Sequence, residues 1–324
     1  MVLLSLFSAL QSVDVSYDRE AYVDFFSYFS NVDYQVSDIE PAYYYLFKLG
    51  SINQELEYVV FFILCFLGLA IKWRLFMKHA MDIPLAVAMF MSYLFFLQDM
   101  NQIRIGVAIG LFYLSIISYF DKKYFAWLFF ALMSSMFHYS TLIAFLAPFF
   151  VFRNIKSNTL YVVMFFVIFL SIIWSSLNVS LYLLKLVSLF DPTGKITTYL
   201  AISSADADSI SPIKRLLPHL VFLVPLVWKF ELITRINRYY KLFILMYILY
   251  VISFLLLSAV PTIAYRISDI FLFASIFCIS SFPFCFKSKL VVRLICYLYC
   301  ALQVFYVVHI LQVFEVYTFL GRSY

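Results

Sequence analysis

Charge is scarce in this sequence: Asp, Glu, Lys and Arg together make up 13% of its 324 residues. A soluble domain of this length carries about twice that share, so water is not its main solvent. Glycine is almost as rare, with six residues, and no internal repeat of fixed period is visible; both absences argue against the repeat-built, glycine-hinged architecture of many transporters. No basic run exceeds two residues, as in Lys122-Lys123 and Lys214-Arg215, so the net charge of +5 does not mark a nucleic-acid surface. The five cysteines (Cys65, Cys278, Cys285, Cys296, Cys300) lie inside apolar stretches without the spacing of a metal site or a redox motif, and are read as small hydrophobes.

What is present is apolar. Hydrophobic residues make up 65% of the chain, Phe (39) and Tyr (26) are abundant, and the mean hydropathy is +0.95. Apolar segments run over 58–77, 83–98, 103–120, 124–137, 140–152, 158–176, 214–230, 240–260, 266–286 and 290–312. The expected fold is an all-α, polytopic transmembrane helical bundle of about 10 spans in one integral membrane domain covering 1–324. The first 13 residues are apolar but short of a full crossing, with neither a basic start nor a small-residue cleavage site, and read as a partial N-terminal helix.

Basic residues set the expected orientation. With 14–57 outside, the alternate connections collect 14 of the 23 Lys and Arg, including Lys72, Lys122, Arg238 and Arg293, against three acids (Asp82, Asp121, Glu231). Those connections are therefore cytoplasmic. The choice requires 124–152 to be split at Phe137-His138 into a hairpin whose turn faces outward; a single helix there would reverse the charge asymmetry of the later half. Two outer segments are large enough for substructure. Residues 14–57 carry nine acids and two bases, and 177–213 are expected to hold an interfacial helix followed by a polar stretch.

Candidate chemistry gathers at the outer helix ends. Arg104 stands five positions after Asp99, and Arg266 one helical turn before Asp269; each pair reads either as an interfacial Asp–Arg pair or as part of an anion clamp, since a guanidinium offers forked donors to phosphate. Lys214-Arg215 read either as a membrane flank or as phosphate contacts. His138 is a lone histidine between apolar halves, and His79, His219 and His309 are isolated. In the first outer segment YDREAYVDFFSYF sets Asp18, Tyr22 and Phe25 or Phe26 at helical spacing, and Glu40-Pro41 precedes an aromatic run, as at a helix start. Carboxylates beside aromatic rings also suit a sugar site.

The ordered series SYDREAYVDFF, EPAYYYLFKLG, NQIRIGVAIGLFYLSI, SSMFHYSTLIAFLAPF and AYRISDIFLF, over about residues 14–275, resembles the EpsG family of Wzy-like bacterial polysaccharide polymerases. The resemblance falls on Asp18 and Tyr22, Glu40, Pro41 and Tyr43 or Tyr44, Arg104, His138, and Arg266, and departs from the family in its shortened first helix. It implies a multi-pass enzyme of the bacterial inner membrane. Such an enzyme joins undecaprenyl-diphosphate-linked oligosaccharide repeat units into O-antigen, capsule or exopolysaccharide on the periplasmic or outer face, with a flippase and a chain-length regulator as candidate partners beside the membrane lipid.

On that reading Arg104 and Arg266, with Lys214 and Arg215, contact the diphosphate, and Asp18, Glu40 and His138 are the catalytic candidates. Tyr22, Tyr43 and Tyr44 are the sugar contacts. No cofactor and no obligatory metal are expected, since the Asp206/Asp208 pair has no companion ligands. The competing readings are a lipid-linked oligosaccharide flippase, disfavoured by the lack of charge near predicted midplanes, a membrane acyltransferase using His138, and a structural partner in an assembly complex.

Overall fold

A computed structural model describes residues 1–12, 15–31, 40–52, 56–152, 156–176, 212–258 and 261–310. These are mostly helical, with no strand among the described residues. The chain divides into two compact units: Met1–Val151 together with Ser288–Tyr324, and Phe152–Lys287. The expected segment 177–213 lies outside the described residues up to 211.

The first unit holds α1 (Val2–Ala9), α2 (Tyr17–Asn31), α3 (Pro41–Gly50), α4 (Leu56–His79), α5 (Ile83–Met89) continued by a π-helical segment (Phe90–Asn101), α6 (Ile103–Phe120) and α7 (Tyr124–Phe137). A 3-10 helix (Tyr139–Leu146) and α8 (Ala147–Phe150) follow, and the C-terminal α16 (Lys289–Phe305) returns to this unit. The second unit comprises α9 (Ser157–Ser176), α10 (Pro212–Trp228), α11 (Phe230–Ile236), α12 (Tyr240–Leu257), α13 (Pro261–Leu272), α14 (Ala274–Ser280) and α15 (Phe282–Cys285).

Among the described residues five helices are long and apolar enough to cross a membrane, or up to seven if two bent pairs each count as one span. The expectation of about ten is met only at this coarser level, and several of the apolar segments are broken among the described residues. The pair 216–236 bends by 75° and 263–280 by 40°. The halves Tyr124–Phe137 and Tyr139–Phe150 are each too short, at about 1.5 Å per residue, for a hydrocarbon core of roughly 30 Å. The chain does break at His138, whose φ/ψ of −157°/120° is extended, and the 3-10 helix runs back along α7, with Trp127 Nε1 donating to the Ala144 carbonyl at 3.0 Å.

Side chains tie helix ends together across long sequence distances. Asp82 caps α5 by accepting from the Leu85 N–H (3.2 Å), while Arg293 Nε, at the start of α16, donates to its other carboxylate oxygen at 2.6 Å. The charge argument had put both residues on one side. All five cysteines are free and buried.

The interior of α4 corrects the picture of a midplane without charge. Lys72, counted above as a cytoplasmic loop cation, is fully buried in α4 and paired with Asp99 of the π-helical segment (side chains 0% and 1% exposed). Asp99 therefore does not pair with Arg104. Glycine makes the space: a Cβ on Gly68 would lie 2.7 Å from Asp99 Oδ1, and one on Gly106 would lie 2.8 Å from that oxygen and 2.7 Å from the Gln98 carbonyl. Gly68 stands near the middle of α4, so the carboxylate sits at mid-span. A buried pair repays its desolvation only with good geometry and additional hydrogen bonds.

Candidate active site

Two short helices from the expected first outer segment, α2 and α3, pack onto the N-terminal half of α4 instead of projecting from the bundle. Tyr22 and Phe26 of α2, Tyr43 and Phe47 of α3, Phe61 and Leu64 of α4, Val107 of α6 and Phe137 of α7 form one buried cluster. Phe26 stacks on Phe47 at 4.1 Å between centroids, and Tyr22 meets Tyr43, Phe47 and Phe61 within 6.0 Å. Rings arranged in this way contribute about 0.5–1.5 kcal/mol per pair beyond their burial. Arg19 is sealed into the same layer, its guanidinium 3.5 Å from the Phe61 ring centroid and its Nη2 donating to the Ala9 carbonyl at 2.8 Å.

On this aromatic floor three polar side chains meet. Glu40 is the N-cap residue of α3 (φ −62°, ψ 133°), ahead of Pro41, but its carboxylate does not cap its own helix. Arg104, in the first turn of α6, donates from Nη1 to Glu40 Oε2 at 3.0 Å. His138, at the break after α7, places Nδ1 3.0 Å from Glu40 Oε1. The side chains are 9% (Glu40), 28% (Arg104) and 15% (His138) exposed, so the cluster is recessed yet open on the guanidinium side. Burial alone would push the Glu40 carboxyl up. The His138 hydrogen bond and then the Arg104 charge outweigh it and hold the carboxyl at about 2.

The tyrosines act on the arginine. Arg104 Cζ lies 4.5 Å from the Tyr43 ring centroid and 5.4 Å from that of Tyr22, and Nε is 3.5 Å from the Tyr22 hydroxyl. Burial raises both phenols above their ordinary value, so they stay neutral. Both rings, expected as sugar contacts, are closed to solvent and lie against the guanidinium. Tyr44 belongs to the same buried cluster and carries Lys48 at 5.6 Å over its ring. Asp18 is half-buried; its backbone N–H donates to Asn101 Oδ1 at 3.3 Å, just before α6.

The remaining candidates belong to the second unit. Arg266 is exposed midway along α13 and Asp269 is buried one turn on. Lys214 and Arg215 lie in the first turn of α10, and their side chains fall outside the described residues.

Sequence reasoning missed the support behind Arg104. The π-helical segment ends in Asp99-Met100-Asn101, and carbonyls in this stretch are taken by side chains of the N-terminal segment. Ser8 Oγ donates to the Asp99 carbonyl (2.9 Å) and Gln11 Nε2 to that of Met100 (3.0 Å). Together with Lys72 these residues fix the turn from which α6 begins. The one legible signal was that two of six glycines, Gly68 and Gly106, sit near charged positions in apolar helices.

A family model described as EpsG family matches residues 1–319. The chain belongs to the EpsG family. EpsG is a Wzy-like polymerase family, which places this membrane protein in polysaccharide biosynthesis. No curated protein matches the chain, and no solved structure does. The recessed cluster sets a guanidinium and an imidazole each 3.0 Å from one carboxylate, and it is open on its cationic side. Among the described residues no group of three His, Cys, Asp or Glu side chains is placed to hold a metal ion.

Proposed function

We propose that this EpsG-family protein is a membrane glycosyltransferase that polymerises undecaprenyl-diphosphate-linked oligosaccharide repeat units into O-antigen, capsule or exopolysaccharide. It acts on the periplasmic or outer face of the bacterial inner membrane, as a multi-pass protein. The observation that carries the reading is Glu40 held between Arg104 and His138. A carboxyl at about 2 is a weak base at neutral pH, which moves the role of proton acceptor from Glu40 to His138. With His138 Nδ1–H donating to Glu40, the neutral ring keeps its acceptor at Nε2, as in other carboxylate-oriented histidine bases.

The transfer follows from that arrangement. The acceptor hydroxyl oxygen bonds to the anomeric carbon of the donor, the bond from that carbon to the diphosphate oxygen breaks, and the hydroxyl proton passes to His138 Nε2 and then to water. Arg104 receives the departing diphosphate, exchanging one charge-assisted contact, to Glu40, for another. Asp18 is assigned to sugar hydroxyls. Arg266, Lys214 and Arg215 are assigned to further phosphate contacts, and the broken apolar segments to a chain of about ten crossings with the Arg104 end outward. A flippase and a chain-length regulator are the proposed partners.

The test is the lipid-linked glycan profile of a deletion strain complemented with the wild-type chain or with Arg104→Ala. Loss of polymer with single repeat units still reaching the surface is expected. Absence of surface units altogether would instead indicate a flippase.

A further inference from the structure

At the opposite end of α4 and α6 from Arg104 lies a second feature with no part in glycosyl transfer. A cavity of about 500 Å³ opens between the C-terminal ends of α4 and α6 and the start of α7. Its inner wall is apolar, from Ile71, Leu114, Ile117 and Phe130. Its rim is basic: Arg74 and Lys78, four residues apart on one face of α4, and Lys123 from the turn before α7. His79 also lines it, and Asp121 is the single acid, so the rim keeps an excess of two positive charges. The turn that brings Lys123 there holds Lys122 at φ 62°, the left-handed position where glycine is the unstrained choice. Asp121, Lys122 and Lys123 N–H groups close it on the Ile117, Tyr119 and Ser118 carbonyls at 2.8–3.0 Å.

We infer that this cavity is a binding site for an anionic phospholipid of the leaflet opposite the candidate active site, its phosphodiester on the Arg74/Lys78/Lys123 rim and an acyl chain along the apolar wall. The form of the cavity selects an amphiphile over a soluble anion, because the cations are confined to one end and the rest of the wall offers a phosphate nothing. Arg74 and Lys78 lie within the last turns of a membrane-length helix, at the depth of a headgroup. Basic pockets between helices at the cytoplasmic side are a recurrent mode of headgroup recognition. Along α6, Arg104 and Asp121 are about 25 Å apart, so the basic rim lies a helix length away from the recessed candidate active site. The inference stands whether or not the chain is a polymerase.

Purified full-length protein in detergent, exchanged into mixed micelles of phosphatidylglycerol and phosphatidylcholine and analysed by native mass spectrometry, tests it. Wild type should retain phosphatidylglycerol in clear preference. Each cation near an anionic headgroup contributes about fivefold, so the triple variant Arg74→Gln/Lys78→Gln/Lys123→Gln should lose the preference by roughly 100-fold. A control neutralising Arg235, Arg238 and Lys241 removes the same charge elsewhere and should keep it. Equal retention of the two lipids by wild type, or an unchanged preference in the triple variant, overturns the site. Displacement of the lipid by millimolar glycerol 3-phosphate, with no acyl chain, would overturn the lipid as ligand. Melting temperatures of all variants in phosphatidylcholine micelles show whether each is folded.

Discussion

Asp99 and Arg104 stand five residues apart, yet each takes its ionic partner from another part of the chain: Lys72 for Asp99, Glu40 for Arg104. The Lys72–Asp99 pair is enclosed at mid-span, wedged against Gly68 and Gly106 and unreachable by any substrate. The Glu40–Arg104 pair sits on an aromatic floor, shares its carboxylate with His138 and leaves more than a quarter of the arginine side chain exposed. Equal charges thus serve unequal ends. An enclosed pair holds helices at fixed register, because neither ion can find a substitute, whereas a pair at the edge of a recess can trade one anion for another.

The comparison breaks most visibly if either member of the enclosed pair is removed alone. Lys72→Met or Asp99→Leu leaves an uncompensated buried group, a loss of about 3–5 kcal/mol, and should nearly abolish accumulation in the membrane. The double variant Lys72→Met/Asp99→Asn, which is neutral and nearly isosteric, should recover much of it, as read by immunoblot and thermal melting. Failure of the double variant to recover would show that the charges do more than hold helices. Gly106→Ala belongs to the same class, since the added carbon meets a backbone carbonyl that cannot swing away; it too should lower the melting temperature by several degrees.

The open pair should answer differently. Arg104→Lys keeps the charge and loses the planar fork, so polymer formation should fall by roughly tenfold to 150-fold, corresponding to about 1.5–3 kcal/mol, at unchanged abundance. Glu40→Gln still accepts a hydrogen bond from His138 but loses the ion pair with Arg104, and should slow transfer while leaving the protein folded. The carboxyl sets a pH expectation as well. Its folded value of about 2 lies below the ordinary 4.5, so the stability it contributes is present above pH 4.5 and is lost progressively as pH falls from there through about 2. Melting temperatures of wild type and Glu40→Gln should therefore keep a constant difference from pH 5 to 8. The smallest effect is expected at Lys122→Gly, which relieves a left-handed residue and should stabilise by about 1 kcal/mol in thermal melts.

The helical class, the start of α3 at Glu40-Pro41 and the break at His138 were legible in the sequence because each rests on local rules: apolar run length, proline at a first turn, and loop charge. Gathering Glu40, Arg104 and His138 was legible through topology and resemblance together. The partner exchange at Asp99 was not, since proximity in sequence favours the five-residue spacing and nothing local reveals that α6 starts halfway along α4. Nor was the closure of Tyr22 and Tyr43: a tyrosine at helical spacing looks the same whether its ring faces a sugar or carries an arginine. The bends of 75° and 40° within apolar segments were not legible either, because apolar composition does not register them.

The most direct test of the division between an enclosed structural pair and an open chemical one is polymer yield per molecule of membrane protein, measured side by side for Arg104→Ala and for Lys72→Met/Asp99→Asn. The account predicts no polymer from Arg104→Ala at normal abundance and near-normal yield per molecule from the double variant. Full-length polymer from Arg104→Ala, or a well-accumulated double variant that makes none, would contradict it.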